Sequence, residues 1–473
     1  MRVIGRKREK EVLSGCLSSK MPEFIVVFGR RRVGKTYLIK GYFHGQFSFY
    51  ATGLSDEKTA GQLKAFHASL LLYGGTDKTV PKDWFEAFAR LRELISRDQV
   101  YRDPVSGKRV VFLDELPWMD TARSDFRSAL EYFWNSWASS QEDLVLIVCG
   151  SATSWIINHM LKDRKGFHNR ITRRIQLLPF TLKECEDLLE NNDVVLTRQQ
   201  IIECYMTFGG IPYYLNLINP RLSLAQNIEE LIFKPYGDLK NEYTELFYSL
   251  FKKPEKHIAI IEALAETKSG KTRKDLTERP KIGGGSVLTK DLEELEQCGF
   301  IRKYTNYMYP KNGAYYQLVD PFVLFSLHFQ KRRGQNSWME YIHSPSHLAW
   351  RGNAFEICCL NHISEIKTAL GISGLDTMEY AWRSQAPDSK AQIDLLLDRR
   401  DGVINLCEMK YTDGLFEIDK EEYNKLMNRL SVFQRETSSR KAIHITLVTV
   451  NNLKENKYSS VFQNVITGDE LFA

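Results

Sequence analysis

The sequence predicts an α/β fold in which a parallel sheet covered by helices comes first and smaller domains follow. Short apolar runs recur through residues 1–180 and are separated by helical stretches such as DWFEAFARLRELISR (83–97). The runs are nearly continuous rather than alternating, which is typical of parallel strands buried on both faces. This strand–helix–strand rhythm predicts a parallel sheet joined by crossover helices.

Five strands are predicted in this first domain. They are EFIVVF (23–28), FSFYAT (47–52), VVFLDE (110–115), LVLIVCGS (144–151) and the weaker RIQLLPF (174–180).

Composition and charge indicate a folded protein and argue only weakly for nucleic acid. The chain has 473 residues, of which 43% are apolar and 26% charged, and its net charge is +6. The eight cysteines form no Cys-x-x-Cys pair, so we expect buried free thiols in a reducing cytosol. No apolar leader or membrane-length run occurs, and we therefore expect a cytoplasmic protein without membrane contact.

Three further domains are predicted after residue 180. Residues 181–250 have a helical pattern that is broken at FGGIPYYL (208–215). Residues 251–335 follow the order helix, helix, recognition helix and β-wing, which predicts a winged-helix domain. Residues 345–473 form the last domain. Its predicted elements are a helix at 353–366, strands in QIDLLLD and GVINLCEMKY, a helix around 416–435 and a strand at 442–450.

A phosphate-binding loop follows the first strand. Gly29, Gly34, Lys35 and Thr36 fit the Gly-x4-Gly-Lys-Thr pattern of P-loop NTPases, the Walker A motif, and a helical pattern follows. Glycine lets the backbone wrap around phosphates with its N–H groups pointing inward, and the helix presents its positive end to the same anion. Lys35 is expected at the β- and γ-phosphates, and the Thr36 hydroxyl at Mg²⁺.

The variable loop positions are also candidates for contact with the nucleotide. They are Arg30, Arg31, Arg32 and Val33. The three arginines either add positive charge at the phosphates or point outward and pair with acids.

Polar residues at the ends of two later strands complete the predicted site. Asp114, after four apolar residues, is placed to hold the Mg²⁺ shell, and Glu115 is placed to polarise the attacking water. Ser151 ends another strand and either senses the γ-phosphate and orients the water or simply forms a turn.

Five segments together resemble the archaeal-type ATPase family, near the STAND and origin-recognition branches of the AAA+ ATPases. They are FGRRRVGKT, FLDELPW, VCGSATS, RITRRIQLLPF and FGGIPYYL, and the resemblance covers about residues 1–330. It implies ATP and Mg²⁺ as ligands, Asp114 at the metal and Glu115 as catalytic base. FGGIPYYL resembles the glycine-glycine-x-proline element of the family's helical lid, although a plain turn between helices would also explain it.

The resemblance also suggests an arginine that acts on the γ-phosphate. Members usually carry a glycine-arginine pair before the TRR stretch, and here Asn169 replaces the glycine while Arg170 remains. Arg170 is therefore the candidate, acting across a subunit interface of a homo-oligomer. Arg173 is the alternative, and a solvated basic stretch would explain both.

The winged-helix segment carries basic residues suited to DNA phosphates. They are Lys271, Arg273, Lys274, Arg279 and Lys281, and Ser286 is a candidate N-cap of the third helix. Four acids in that helix oppose DNA binding along its later turns, so the domain binds either DNA or a protein partner. They are Asp291, Glu293, Glu294 and Glu296.

A second site is predicted in the last domain. Glu408 and Lys410 are two residues apart on a strand and share one face, and a neighbouring hairpin strand can place Asp394 beside them. Two carboxylates and a lysine at one strand edge suit a divalent metal, Mg²⁺ or Mn²⁺, that activates water. A surface ion pair is the alternative, although an acid inside a buried run argues against it.

This arrangement resembles the PD-(D/E)XK restriction-endonuclease-like superfamily over about residues 345–460. The resemblance implies Glu356 as an additional metal ligand, while Ile393 stands where a proline is usual. Gln392 and Tyr411 are further candidates for this site, and Asp398 is interpreted as an acid at a strand end.

Together these features predict an ATP-hydrolysing AAA+/STAND-type ATPase that controls a metal-dependent DNA endonuclease-like domain. ATP and DNA are the expected partners, with a homo-oligomer or a protein partner as further candidates. The alternative is a non-nucleolytic signalling or DNA-remodelling ATPase whose last domain only binds DNA or a protein.

Overall fold

The structure is a computed structural model in which the chain forms two compact units, residues 1–178 and 179–473. Within them, it describes residues 2–162, 166–167, 169–251, 253–307, 314–330, 337–384, 386, 389 and 391–473.

The first unit is an α/β fold around a parallel five-stranded sheet, as the sequence predicts. Its strands are β1 (Glu23–Phe28), β2 (Phe49–Thr52), β3 (Arg109–Asp114), β4 (Leu144–Gly150) and β5 (Arg173–Gln176). Their order is β2-β3-β4-β1-β5. Every residue of β1, β3 and β4 is buried, which explains why their sequences are apolar throughout. The weakest predicted strand is present but shorter than expected.

Helices of this unit cover the sheet. They are α1 (Lys7–Ser18), α2 (Lys35–Tyr42), α3 (Thr59–Leu72), α4 (Trp84–Ile95), α5 (Leu116–Met119), α6 (Phe126–Ser136) and α7 (Thr153–Ile156). The predicted helix at 83–97 is α4, and the Asp83 side chain caps it by accepting from the Glu86 amide. Trp84 is fully buried and meets Phe126 edge to face, with ring centroids 4.8 Å apart.

The second unit begins with helices, and the predicted break at FGGIPYYL lies between two of them. They are α8 (Leu182–Asn191), α9 (Arg198–Phe208), α10 (Pro212–Leu215), α11 (Leu224–Ile228) and α12 (Glu242–Leu250). Gly209 and Gly210 have φ of +72° and +63°, and a Cβ at Gly210 would lie 2.4 Å from the Phe180 carbonyl oxygen. Pro212 then starts α10, so this break is rigid.

The next elements, which we call the middle segment (residues 255–330), combine helices with a small antiparallel sheet. They are α13 (Glu255–Leu264), β6 (Lys271–Thr272), α14 (Arg273–Thr277), α15 (Gly285–Gln297), β7 (Ile301–Thr305), β8 (Ala314–Leu318) and α16 (Pro321–Phe325), with sheet order β6-β8-β7. Ser286 is not the N-cap of α15, because the helix begins one residue before it and Gly284 takes that position. Residues 308–313, in the predicted wing, lie outside the described residues.

The last elements form a second five-stranded sheet with helices. They are α17 (Trp338–Tyr341), α18 (Pro345–Asn361), α19 (Ile363–Ala369), β9 (Thr377–Arg383), β10 (Gln392–Arg399), β11 (Val403–Lys410), α20 (Lys420–Thr437), β12 (Ala442–Thr449) and β13 (Asn464–Thr467). Strands β9, β10 and β11 are antiparallel, whereas β11, β12 and β13 are parallel. The sequence interpretation missed β9 and β13, and the helix predicted at 353–366 is two helices, α18 and α19.

The chain that leaves β7 joins this second sheet at β9. Asn306 pairs with Ala381, and the Tyr307 amide donates to the Ala381 carbonyl at 2.9 Å. The Asn306 side chain also bonds both backbone groups of Arg383, at 3.1 and 2.9 Å. Tyr307 is buried in the core of the second sheet, with its ring 5.7 Å from that of Phe433. The middle segment and the last sheet are therefore joined by backbone pairing and by a shared core.

All eight cysteines are free and buried, as the sequence predicts. Within the described part of the chain, none of the helices combines the length and apolarity that a membrane span needs.

A fully buried histidine connects α18 and α19 to the start of α8. His362 Nε2 lies 2.9 Å from the Leu182 amide, which donates to it, and Nδ1 lies 2.7 Å from the Cys358 carbonyl oxygen. These partners require a proton on Nδ1 and none on Nε2, so the ring is neutral. Burial lowers the pKa of His362 to about 4, which the bond to Cys358 only partly opposes.

We expect this histidine to make the second unit less stable as the pH falls from about 6.5 to about 4. In that window the unfolded chain takes up a proton that the folded chain excludes, which costs up to about 3 kcal/mol. His362→Gln, which does not titrate, should show a smaller loss of unfolding free energy between pH 7 and pH 4.5 in urea titrations. Equal losses in the two proteins would contradict the assignment.

Candidate active sites

The predicted nucleotide residues gather at one edge of the first sheet. Strand β4 lies between β1 and β3, and all three are parallel, so their carboxyl ends meet. The loop at 29–34 follows β1, Asp114 ends β3, and Ser151 follows β4. This parallel pairing brings together residues that are more than a hundred positions apart.

The backbone of the loop has the curvature that the glycines predict. Gly29 has φ of +148°, and a Cβ there would lie 2.3 Å from the Leu177 carbonyl oxygen. Gly34 has φ of +91° and precedes the first residue of α2. Arg32 also has positive φ, +72°, which is unusual for a residue with a side chain.

Lys35 turns back onto the loop that it follows. Its side chain is buried, and Nζ donates to the carbonyl oxygens of Gly29 and Arg30, both at 2.9 Å. Its ammonium group is thus held inside the curve where phosphates are expected. It can exchange these carbonyls for phosphate oxygens without moving far.

The other loop side chains differ in exposure. Arg30 and Val33 are buried, Arg31 is exposed and Arg32 is half-buried. The Val33 carbonyl accepts a hydrogen bond from Arg6 Nη2 at 3.1 Å. Arg6 is itself buried. It was not identified from the sequence as a site residue, since its only local signal is its position after Gly5 and before a helix.

Thr36 and Asp114 meet as a metal pair would. The Thr36 hydroxyl lies 2.9 and 3.1 Å from the two Asp114 carboxylate oxygens. Hydroxyl and carboxylate oxygens are the hard ligands that Mg²⁺ prefers, so this pair fits the metal. The buried Cys149 thiol also donates to Asp114. Burial, followed by the Asp114 charge, raises the pKa of Cys149 well above its usual value, so the thiol stays protonated as a donor.

Glu115 is held by the end of β4. Its carboxylate accepts from the Ser151 amide at 3.1 Å and from the Ser151 hydroxyl at 2.7 Å. Glu115 also has φ of +46°, a left-handed conformation that costs a non-glycine residue about 1–2 kcal/mol. Ser151 therefore positions the carboxylate that the sequence assigns to the attacking water.

Arg170 and Arg173 lie at the opposite edge of the sheet. Arg170 is exposed and precedes β5, while Arg173 starts β5 and lies 3.8 Å from Glu23 at the start of β1. Both therefore lie toward the amino ends of the strands, whereas the phosphate-binding loop follows the carboxyl end of β1. Asn169 has φ of +58°, a conformation that glycine adopts freely and asparagine tolerates.

A second group of acids, which we call the acid cluster, lies on β10, β11 and α18. Its members are Glu356, Asp394 and Glu408. The antiparallel register pairs Leu395 with Cys407, so Asp394 and Glu408 face each other one step further along. Burial and, after it, the charge of Asp394 raise the pKa of Glu356 to about 7. Burial also raises the pKa of Asp394, with Glu408 adding to the shift.

Cations of the last domain hold Glu408. Lys410 lies 3.3 Å from it and 3.1 Å from Glu422, and Arg429 of α20 donates to its other oxygen. Burial alone would lower the pKa of Lys410, but the charges of Glu408 and Glu422 outweigh burial and raise it. Arg429 was missed in the sequence because it lies in an ordinary amphipathic helix.

Two further cations come from the middle segment. Lys268 Nζ lies 3.4 Å from a Glu356 carboxylate oxygen. Arg302 donates to the Asp394 carbonyl oxygen at 3.3 Å, and both cations lower the pKa of Asp394 against the effect of burial. Neither was a candidate in the sequence, where nothing connects residues 268 and 302 with the last domain.

The donor set of the acid cluster fits a hard divalent cation, but its oxygens are spread apart. Among the described residues, His257, Asp291 and Glu294 are the only group of three or more histidine, cysteine or acidic side chains whose ligand atoms all lie within 4.8 Å of one another. There His257 Nε2 lies 2.9 Å from Glu294, and Nδ1 is buried without a partner. A histidine that ligates a metal normally donates from its second nitrogen, so we interpret this group as a hydrogen bond between α13 and α15.

The remaining candidates have structural partners. Tyr411 donates to Glu203 of α9 at 2.5 Å, which directs its hydroxyl to another helix. Asp398 lies 2.5 Å from Lys441. Gln392 starts β10, opposite Arg383 of β9.

Comparisons with known proteins indicate an ATPase domain in the first part of the chain. Residues 4–218 match the model of an ATPase domain predominantly from Archaea, and so the chain contains an archaeal-type ATPase domain. This match runs from α1 through α10. The chain is also 24% identical to an uncharacterised protein of Methanocaldococcus jannaschii over 328 residues, which are 68% of this chain and 67% of that protein.

A solved structure shares the fold, and a second is more distantly similar. A Walker-type ATPase of Pyrococcus abyssi has a TM-score of 0.51 and 17% identity, over 69% of this chain and 96% of that one. The ORC2 protein of Aeropyrum pernix, in ADPNP–ADP complexes, has a TM-score of 0.44 and 15% identity, over 77% and 96% of the two chains. The first likeness is one of fold, and the second is too distant to support an argument.

We expect Gly29→Ala to destabilise the first unit by roughly 2–4 kcal/mol, because its Cβ would meet a backbone oxygen at a positive φ. Gly15→Ala is the matched control. Gly15 is exposed in α1 and has no atom within 4 Å of a new Cβ, so alanine should stabilise the helix by about 0.5–1 kcal/mol. Hydrogen exchange of the β1 amides measures both changes, and equal exchange in the two variants would contradict the close approach at Gly29.

Proposed function

We propose that the chain is an ATP-hydrolysing switch that controls a metal-dependent, nuclease-like C-terminal domain. The observation that carries the first part is the edge where β1, β3 and β4 end. There a glycine loop, the Thr36–Asp114 contact and the Glu115–Ser151 contact lie together. The match to an ATPase domain over residues 4–218 supports it independently.

Each residue of the first site has a distinct task in this proposal. The loop amides and the ammonium group of Lys35 bind the phosphates, while Thr36 and Asp114 hold Mg²⁺. The metal, when bound, neutralises charge that develops on the phosphate oxygens. Ser151 orients the Glu115 carboxylate, which holds the attacking water and accepts its proton. Arg170 is proposed to act on the nucleotide of a neighbouring subunit.

We propose residues 181–250 as the helical lid of the ATPase domain and residues 251–335 as a winged-helix domain. The match to the ATPase domain extends through α10, which supports assigning the first helices to that domain. The order α13, β6, α14, α15, β7, β8 supports the second assignment, since it combines three helices with a hairpin. DNA is the proposed partner of the winged helix.

We propose residues 345–473 as a PD-(D/E)XK-like domain. Its support is the acid cluster, with Asp394 and Glu408 facing each other across β10 and β11 and Lys410 on the same face. In this proposal the carboxylates hold Mg²⁺ or Mn²⁺, which activates water, and Lys410 stabilises charge on the scissile phosphate of DNA.

One observation favours a second candidate function. Glu408 is bound by both Arg429 and Lys410, an arrangement that would also hold a domain which has lost its metal. The protein would then be a signalling or DNA-remodelling ATPase whose last domain binds DNA or a protein without cutting.

For the ATPase site, we expect Lys35→Ala to weaken ATP binding by about 10- to 100-fold, because it removes a charged donor from the phosphates. Glu115→Gln should retain binding and lower kcat by about 100-fold or more, because it removes the proposed base. Nucleotide titration and steady-state phosphate release measure the two effects. Lys64→Ala, on the exposed face of α3, is the control, and undiminished hydrolysis in both site variants would overturn the proposal.

For the C-terminal domain, we expect Lys410→Ala to abolish Mn²⁺-dependent plasmid cleavage while ATP hydrolysis stays at the wild-type rate. Lys454→Ala is a matched control, since Lys454 is also ion-paired in this domain but lies 2.8 Å from Glu417. Cleavage by Lys410→Ala would place the activity elsewhere. Wild-type protein that hydrolyses ATP but never cuts would favour the second candidate function.

A further inference from the structure

The acid cluster does not belong to the last domain alone. Lys268 lies in the loop between α13 and β6, and Arg302 lies on β7, both in the middle segment. Lys268 contacts the Glu356 carboxylate, and Arg302 contacts the backbone carbonyl of Asp394. The cluster is therefore assembled where the middle segment meets β10 and α18.

Backbone pairing keeps this junction closed. Asn306 directly follows the last residue of β7, and its bridge to Ala381 fixes the end of this strand beside β9. Arg383 of β9 in turn donates to the Ser269 carbonyl, and the Tyr304 hydroxyl donates to the same oxygen at 2.5 Å. The loop that carries Lys268 is thus tied to the sheet that carries the acids.

The acid cluster and the charged groups that surround it carry equal numbers of carboxylates and cations. Four carboxylates of the described residues face four cations: Glu356, Asp394, Glu408 and Glu422 against Lys268, Arg302, Lys410 and Arg429. A divalent cation that enters this group meets fixed positive charges close by, and in a partly buried site these are weakly screened. Metal alone should therefore bind weakly.

The two cations of the middle segment differ in how firmly their side chains are held. Arg302 is held by Gln317 at 2.7 Å, by the Asp394 carbonyl and by the ring of Tyr304, which lies 4.9 Å from its guanidinium carbon. Lys268 makes one ion pair, at 3.4 Å, and about half of its side chain is exposed. Lys268 can therefore exchange Glu356 for another anion at the surface, whereas Arg302 cannot.

We propose that Lys268 couples divalent-metal binding at the acid cluster to binding of a nucleic-acid phosphate. A phosphate of the nucleic acid binds the Lys268 ammonium group in place of Glu356, so that Glu356 is available to bind the metal. The phosphate also adds negative charge beside the acid cluster, which favours the cation. This coupling rests on the proposed metal-dependent function of the last domain. It adds that the metal and the nucleic acid each bind more tightly when the other is bound. No covalent step is involved.

Mn²⁺ binding to nucleotide-free, full-length protein tests this coupling. Free Mn²⁺ is measured by electron paramagnetic resonance, with and without a short DNA duplex made uncleavable by phosphorothioate linkages. The same measurement on Asp394→Ala is subtracted, which removes Mn²⁺ bound to DNA and to the first unit. Wild-type protein should bind the Asp394-dependent Mn²⁺ about tenfold more tightly with duplex than without it.

Lys268→Ala should bind Mn²⁺ about fivefold more tightly than wild type without duplex and gain little when duplex is added. The difference in Mn²⁺ affinity between wild type and Lys268→Ala without duplex should shrink as salt is raised, because the half-exposed charge of Lys268 is screened. Lys454→Ala removes a similarly exposed lysine whose ion pair is with Glu417 rather than with a member of the acid cluster, and it should match wild type. Unchanged or weaker Mn²⁺ binding by Lys268→Ala without duplex overturns the coupling while the metal site stands. No Asp394-dependent Mn²⁺ in any protein, with or without duplex, overturns the metal site itself.

Discussion

The first site depends on the parallel register that aligns β1 with β4 and β4 with β3. Phe28 pairs with Gly150, and Leu113 pairs with Val148, so the three strands end together. The phosphate-binding loop, Ser151 and two acids therefore lie close together, although they come from separate segments of the chain. The contacts around Asp114 and Glu115 refine this arrangement, since each carboxylate is held by donors from a neighbouring element.

The two candidate sites use opposite electrostatic strategies. The first presents backbone N–H groups and Lys35 to an anion, and its acids are few and individually held. The acid cluster instead gathers carboxylates in a partly buried place, where burial and neighbouring carboxylates raise the pKa of Glu356 and of Asp394, and surrounds them with cations. In the functions that we propose, the first site binds phosphates directly, whereas the acid cluster exchanges a cation before phosphate and metal share it.

Local signals explain what the sequence predicts well. The buried strands β1, β3 and β4 are apolar at every position or nearly so, and the phosphate loop needs glycines at fixed spacing, so both are visible in short segments. Strand β9 was missed because its exposed and half-exposed residues resemble a loop, and β13 because it has four residues. Residues whose role comes from a distant partner were also missed, namely Arg6, Cys149, Lys268, Arg302 and Arg429. Their partners lie between 21 and 92 positions away, and no periodicity encodes such contacts.

The strand pairing at Asn306 and Ala381 has a consequence for how the chain can be divided or recombined. A fragment cut at the predicted boundary near residue 345 would lose Tyr307 from its core, expose the outer edge of β9 and leave behind two cations of the acid cluster. Such a fragment would be prone to edge-to-edge aggregation, and its chemistry would differ from that of the intact protein. Exchange of this part between related chains should therefore transfer residues 179–473 together, because this compact unit also contains the contacts of His362 with Leu182 and of Tyr411 with Glu203.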